Sequence, residues 1–532
     1  MGKEARAQSL VAGVTRDTDV HLEGDGIGAT REILRDLVKR RNLITLFLVS
    51  AVLAMGIGIR WHYSAFLDPF EDGYQHWWIS ANLVSTGEYW DRSSMMTQGN
   101  WLPLYHFAGA GVLAVAGLYN IAALKIANIV LSSVTAILIF LLLRRHGLVV
   151  AFAGLAFFTF NFIDVVVSGW STAESLLTFL VVLGYGSLFH LRLSRNRHLA
   201  IAATAFALAV ATRYEAWFVV LLLLVFAFAG TGTDPSRAQV LLVLSPALLF
   251  MAGYFLYALQ WGFLPEIVVR QTSTDILFQV SAGTQRSPID ILSGWWSGYF
   301  SFFPVVLVLG TAYLVVKVRS EFGLWIVFGL WAFVIAYALL RFGNPSYRYV
   351  MLSVPFLSMG GAFAAKRVVE SIARRTPAAV LNTPKRRGTA TATAVVLIAL
   401  TLIPSTATFW TPGFPTSAYM VPFQRAGEFV RTLPPPVDKI LISESSIAAY
   451  HSGYAPNQVL GSRWLPDSRA EALSFLKSEA AYVVYVGVPY YTLRVLFPEL
   501  ESGTTTPDFE FLYDAGGKAA GTHAVLVFRV LP

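Results

Sequence analysis

The sequence predicts an all-α polytopic membrane protein with a small α/β domain at its C-terminal end, and three observations carry that prediction. Hydrophobic residues make up 55% of the 532 residues and charged residues only 14%, against about 25% charged in soluble domains. The apolar residues come in blocks of the length, about 20 residues, that crosses roughly 30 Å of hydrocarbon, and short basic or polar joints separate them. After Pro434-Pro435-Pro436 the blocks give way to short β-branched runs.

Taken in chain order, residues 1–42 are hydrophilic and lack the short apolar core of a cleavable signal peptide, so they read as a flexible cytoplasmic tail. Gly24-Asp25-Gly26-Ile27-Gly28 within that tail is no dinucleotide fingerprint, because no strand pattern precedes it. About 11 transmembrane helices follow between 43 and 409, near 43–60, 120–143, 148–166, 173–191, 199–213, 215–230, 238–261, 299–317, 323–340, 349–365 and 391–409. The cations fall on alternate joints: Lys39 to Arg41, Arg144 with Arg145, Arg192 to Arg197, Lys317 with Arg319, and the loop from Lys366 to Arg387. The positive-inside rule makes that side cytoplasmic. Residues 61–119 then form a first outer loop with interfacial helices, since Trp77, Trp78, Trp90 and Trp101 suit the membrane–water boundary. Residues 410–532 lie outside the cytoplasm as an α/β domain, with strands near 439–443, 481–486 and 524–530 around a helical 468–479. The chain is therefore expected in the plasma membrane as a multi-pass protein.

Composition also removes whole classes of function. With no cysteine, disulfide scaffolds, Cys-ligated zinc, iron–sulfur clusters and thiol catalysis are excluded. The net charge of +8 calls for no nucleic acid, because cytoplasmic loops collect Lys and Arg.

Chemistry points to the outer joints. Glu71 and Asp72 stand side by side after the first apolar block, in Leu67-Asp68-Pro69-Phe70-Glu71-Asp72-Gly73-Tyr74-Gln75-His76. Asp164 and Glu174 flank the Ser168–Ala173 turn, Thr212-Arg213-Tyr214-Glu215 interrupts a continuous apolar run, and Arg341 to Tyr349 close an outer turn. Charges at the ends of spans are costly and line cavities or pair with one another. An acidic turn with aromatic anchors, or an Arg213–Glu215 pair, is the plain structural alternative for each motif alone. As a set they supply carboxylates for proton transfer and arginines for phosphate on one face.

In Glu71-Asp72-Gly73-Tyr74, Pro103-Leu104-Tyr105-His106, Glu174-Ser175-Leu176-Leu177, Thr212-Arg213-Tyr214-Glu215 and Tyr347-Arg348-Tyr349-Val350-Met351, taken in order, the chain resembles the GT-C superfamily of integral-membrane glycosyltransferases. The nearest likeness is the family 39-like group of protein mannosyltransferases and aminoarabinose transferases. The acidic pair reads Glu-Asp where many relatives read Asp-Glu, and the second motif has one proline where many have two. Gly294-Trp295-Trp296-Ser297-Gly298 lacks the aspartate of an oligosaccharyltransferase signature.

The resemblance implies an inverting transfer of a sugar from a polyprenyl-phosphate donor to an acceptor on the outer face. Protein, lipid and polysaccharide acceptors all present a suitable hydroxyl. It implies a carboxylate base in the acidic pair. Asp72, the last acid before Gly73, whose missing side chain would let a substrate approach closely, is read as that base, with Glu71 as its neighbour or a metal ligand. Arg213, Arg348 and Arg341 would bind the donor phosphate, with Arg270 and Arg286 next in line. Tyr74, His106, Glu174, Tyr347 and Tyr349 would contact sugar or acceptor. Some relatives hold a divalent ion, and hard oxygen ligands are compatible with Mg²⁺ or Mn²⁺. The competing reading is a polytopic transporter or lipid flippase, which predicts inverted repeats and mid-span acids. A non-catalytic membrane scaffold leaves the outer carboxylates without a use.

Overall fold

The computed structural model describes residues 25–69, 71–87, 89, 101–190, 195–229, 235–260, 304–316, 322–339, 347–375, 420–434, 438–488, 491–518 and 523–532, with scattered positions between 287 and 296. Residues Leu53–Pro532 form one compact unit and Met1–Val52 another. The helices are α1 (Asp25–Ser64), α2 (Asp72–Thr86), α3 (Leu104–Ala116), α4 (Ile121–Arg144), α5 (Leu148–Thr159), α6 (Phe162–Ser168), α7 (Glu174–Phe189) and α8 (Arg195–Val210). They continue as α9 (Tyr214–Phe228), α10 (Arg237–Gln260), α11 (Pro304–Val316), α12 (Phe322–Leu339), a 3₁₀ turn over Tyr347–Ser353, and α13 (Val354–Arg375).

Among the described residues, 3 helical stretches are long and apolar enough to cross a membrane: Asn42–Ser64, Ile121–Arg144 and Arg237–Gln260. A fourth arises if α5 and α6, bent by 55° at Phe160-Asn161, count as one span. The sequence predicted 148–166 as a single helix. It breaks because the Asn161 side chain accepts from the amides of Ile163 and Asp164, starting a new helix. The expected span 391–409 lies outside the described residues, and α3 is an apolar helix inside the segment expected to be an outer loop.

The middle of the bundle is closely packed. Leu155, Phe158, Phe162 and Val165 on α5 and α6 are fully buried, as is Val181 on α7. By contrast Leu242 and Leu249 on α10 stand 64% and 73% exposed, apolar faces that lipid rather than water would cover. Helices α11 and α13 cross closely enough that a Cβ on Gly310 would lie 2.5 Å from the Leu357 carbonyl oxygen, the small-residue contact favoured between membrane helices.

The C-terminal part consists of α14 (Val421–Thr432), β1 (Ile440–Ser443), α15 (Ser446–Ser452), β2 (Val459–Gly461), α16 (Arg469–Glu479), β3 (Ala480–Val486), α17 (Thr492–Leu496), β4 (Phe509–Asp514) and β5 (Val525–Val530). The strands form a 5-stranded sheet in the order β2-β1-β3-β5-β4. Its β1 pairs in parallel with β2 and β3, and β5 runs antiparallel to β3 and β4. Two strands, β2 and β4, were not foreseen: β2 has three residues, and β4 mixes Glu510 and Asp514 with its aromatics. Tyr74, Trp77, Ile121 and Leu124 share one hydrophobic core with Ala426, Val430, Leu441 and Ile447. Polar contacts fix the same seam. Trp78 Nε1 donates to the Pro456 carbonyl (3.2 Å), and Tyr450 Oη donates to that of Tyr119 (2.6 Å).

Candidate active site

The predicted charges come together at helix starts. Helix α8 stops at Val210, Arg213 takes an extended conformation, and α9 begins at Tyr214. This break turns the Arg213 guanidinium onto Glu215, with Nε at 3.0–3.1 Å from both carboxylate oxygens and Nη2 at 2.8 Å. Its Nη1 reaches Glu174, the first residue of α7, at 2.8 Å. Arg348, on the 3₁₀ turn, donates from Nη2 to Asp72 Oδ2 at 2.5 Å, and its Nε lies 3.8 Å from Glu174. Four segments far apart in sequence therefore supply three carboxylates and two guanidiniums in one chain of contacts. Glu174, Arg348 and Arg213 are 3%, 8% and 9% exposed, so the charges stabilise one another where water can do little.

Glu71 and Asp72 diverge. Successive helical side chains point about 100° apart, so Asp72 turns to Arg348 while Glu71 faces the C-terminal part. There Glu71 accepts from Ser445 Oγ at 2.6 Å and from Ser446 Oγ at 3.3 Å. Burial pushes the Glu71 carboxyl up to about 7 against those hydrogen bonds, with the Asp72 charge adding to the rise. Next to Ser445, the buried Glu444 accepts from the amides of Val486 and Leu493 and from Ser462 Oγ, and burial raises it to about 8. The Glu71 contact thus joins the start of α2 to a rigid corner of the sheet.

Gly73 has a different reason from the one its position suggests. Beside a reactive carboxylate, a glycine suggests close approach of substrate. Here a Cβ would fall 2.1 Å from Asp68 Oδ2 and 2.5 Å from Ser171 Oγ. The approach is made by the protein itself. Asp68, buried, accepts from Ser171 Oγ (2.7 Å) and Ser171 N (3.1 Å), and Lys125 Nζ lies 2.8 Å from its other oxygen. Lys125 also donates to the carbonyls of Ser64 and Phe66. A second buried group joins Arg60 to Asp164, which Ser132 Oγ also reaches at 2.7 Å.

Tyr74 lies in the hydrophobic seam, its ring 5.5 Å from that of Tyr450. His106 is fully buried, with Nε2 2.8 Å from His76 Nδ1 and Nδ1 3.0 Å from Tyr89 Oη. Burial pushes His106 down to about 3. Burial first, then His106, Arg213 and Arg348, hold His76 well below the ordinary imidazole value. The two rings therefore form a neutral pair at the edge of the arginine field. Arg341, Arg270 and Arg286 lie outside the described residues, as do the side chains of Tyr347 and Tyr349. Among the described residues no group of three or more His, Asp or Glu is placed to hold a metal ion. Asp72, Glu174 and Glu215 each pair with an arginine.

Sequence reasoning missed the roles of Asp68, Lys125, Ser171, Ser445 and Arg60. Lys125 and Arg60 carried a usable signal, each being a cation inside or at the end of an apolar helix. Ser445 and Ser171 carried none.

The sequence matches no protein-family model and, at a significant level, no curated protein. Solved structures do match. ArnT from Cupriavidus metallidurans, in the apo state, aligns over 92% of this chain and 98% of its own at TM-score 0.52 and 14% identity. The same protein bound to undecaprenyl phosphate aligns over 91% and 97% at TM-score 0.51 and 12% identity. The archaeal oligosaccharyltransferase AglB from Archaeoglobus fulgidus, in complex with an inhibitory peptide and a dolichol-phosphate, aligns over 90% of this chain and 74% of its own, at TM-score 0.50 and 14% identity. The fold is GT-C-like. This GT-C-like chain is a membrane protein, and the likeness to ArnT spans both the helical bundle and the sheet. AglB shares the fold although the tryptophan-rich segment here lacks the aspartate of an oligosaccharyltransferase signature.

Proposed function

We propose that the protein is an inverting glycosyltransferase that moves a sugar from a polyprenyl-phosphate carrier to an acceptor hydroxyl on the outer face of the plasma membrane. The observation that carries this reading is the Asp72–Arg348 ion pair at the start of α2, linked through Glu174 to Arg213. The fold shared with a protein solved with undecaprenyl phosphate supports a lipid-phosphate donor.

In this mechanism the donor's phosphate competes with Asp72 for the Arg348 guanidinium. Asp72 is released as the donor binds, so base and donor arrive together. The acceptor oxygen attacks the anomeric carbon while Asp72 takes its proton. The bond from that carbon to the phosphate oxygen breaks, and Arg348 stabilises the growing charge on the leaving lipid phosphate. Arg213, held twice over by Glu215 and Glu174, positions Glu174 and adds positive field. Glu71 serves as the anchor that fixes the start of α2.

The transporter reading has less support, because Asp72, Glu174 and Glu215 all stand in the first turn of a helix rather than at mid-span. The test is to incubate the purified protein in detergent with a panel of polyprenyl-phosphate sugars. At least one should raise its melting temperature and be consumed, and Asp72→Asn should cut turnover by about 10²–10⁴-fold. Neither stabilisation nor consumption across the panel would defeat the reading, and an Asp72→Asn rate within about threefold of wild type would remove Asp72 from the role of base.

A further inference from the structure

A second polar cluster occupies the other end of the bundle. Helix α7 carries Glu174 at its first residue and ends at Phe189, so His190 stands about 24 Å along the helix axis from the acid–arginine cluster. There the ends of α4 and α7, together with α11 and α13, enclose a crevice of about 150 Å³, lined by Arg145, His146, His190 and Tyr185 and by the apolar Met359 and Phe363. Arg145 donates from Nε to His146 Nε2 (3.0 Å) and from Nη1 to the His190 carbonyl (3.2 Å), while its Nη2 meets His190 Nδ1. Lys366 Nζ donates to the His146 carbonyl at 3.2 Å. Arg367 lies over the Tyr313 ring, which in turn stacks on Phe363.

Five basic residues thus gather around one opening. Among the described residues the carboxylate paired within this group is Glu370, 3.8 Å from Lys366, and none is paired with Arg145. Capping of helix C-termini explains the bonds from Arg145 and Lys366 to carbonyls. It does not explain why two neutral imidazoles crowd the same guanidinium and leave its charge without a carboxylate. Nor does it explain an apolar wall behind them.

We propose that this crevice binds the phosphate headgroup of an anionic phospholipid, with the acyl chains lying on the outward apolar surface beside it. A crevice of this size takes a phosphate but not lipid chains. The neighbouring Leu141, Val315 and Val316 are 50%, 49% and 68% exposed, a surface suited to chains. Basic pockets between membrane helices bind acidic headgroups in this way, each Lys or Arg strengthening the attraction. Because the cluster lies at the end of the bundle that the cation pattern makes cytoplasmic, the lipid is one of the inner leaflet. The inference is independent of the chemistry assigned to Asp72 and Arg348.

The experiment uses the full chain in neutral detergent, melted in the presence of phosphatidylglycerol, phosphatidylcholine or inorganic phosphate at matched concentrations. Native mass spectrometry counts the lipids retained. Phosphatidylglycerol should raise the melting temperature and stay bound, and phosphatidylcholine should do neither. Arg145→Gln and Lys366→Gln should each weaken the phosphatidylglycerol response by about fivefold. Lys366→Gln carries the test if Arg145→Gln fails to fold, since Lys366 is the more peripheral residue. Equal responses to the two lipids, an equal shift from inorganic phosphate alone, or an unchanged phosphatidylglycerol response in Lys366→Gln would each overturn the proposal.

Discussion

Replacing Arg348 by lysine keeps a positive charge in place and removes the planar fork that spans two acids. The fork holds Asp72 at 2.5 Å through Nη2 and lies 3.8 Å from Glu174 through Nε. A single ammonium can serve one of these carboxylates well but not both. With side-chain exposures of 8% for Arg348, 14% for Asp72 and 4% for Glu174, solvent screens the loss only partly. At an effective dielectric of about 20, opposite charges 4 Å apart attract by about 4 kcal/mol. Loosening one charge-assisted contact therefore costs about 1.5–3 kcal/mol. If half of that, about 0.75–1.5 kcal/mol, falls on the transition state, transfer slows by about 4- to 12-fold. The assay is transfer rate against polyprenyl-phosphate-sugar concentration for Arg348→Lys, Asp72→Asn and the double variant, with thermal melting as the fold control. The two substitutions should be non-additive by about 1–3 kcal/mol, as expected for residues in contact. Wild-type kinetics for Arg348→Lys, with additive effects in the double variant, would refute the reasoning. Lowered melting temperature with unchanged kinetics would show that the pair holds the fold and leaves the phosphate to other groups.

Glu71→Gln should flatten a pH dependence of stability. The folded carboxyl titrates near 7 rather than its ordinary 4.5, so the folded state binds the extra proton. Stability from this group is then complete below about 4.5 and lost as pH rises toward about 7. Melting wild type and variant from pH 4.5 to 8 checks this, and identical pH profiles would contradict it. Orientation is tested on the cysteine-free background with an impermeant thiol reagent on intact cells. The outer position is the exposed Asn457 and the inner one the exposed Ser371. Labelling should occur at Asn457→Cys and not at Ser371→Cys; the reverse pattern would invert the proposed topology and move the acid–arginine cluster to the cytoplasmic side.

Much of the cluster could be read from the sequence because each member violates its surroundings. Arg213 and Glu215 interrupt an apolar run, and Glu174 opens another. A charge in such a context needs a partner, so its presence points to a site before any partner is known. The partner is the part that sequence withholds. Arg213 has its nearest acid two residues away, which local spacing suggested, yet it also reaches Glu174 across 39 residues. Among the neutral residues no such signal exists. Ser445 is one serine among many, and its bond to Glu71 crosses 374 residues.

Composition and the spacing of apolar blocks determined that this chain belongs in a membrane, because hydrocarbon thickness sets block length and the cost of charge sets where blocks end. They also determined that carboxylates and arginines collect at the block ends. Tertiary structure decided what each of two adjacent acids contacts. Glu71 and Asp72 are indistinguishable in pattern, but one helical step turns one to Ser445 and the other to Arg348. It also decided that Gly73 admits Asp68, whose carboxylate is brought there by Lys125 and Ser171. Contacts of this range follow from how whole helices pack, and packing depends on the summed shape of many side chains. No local period in the sequence records it.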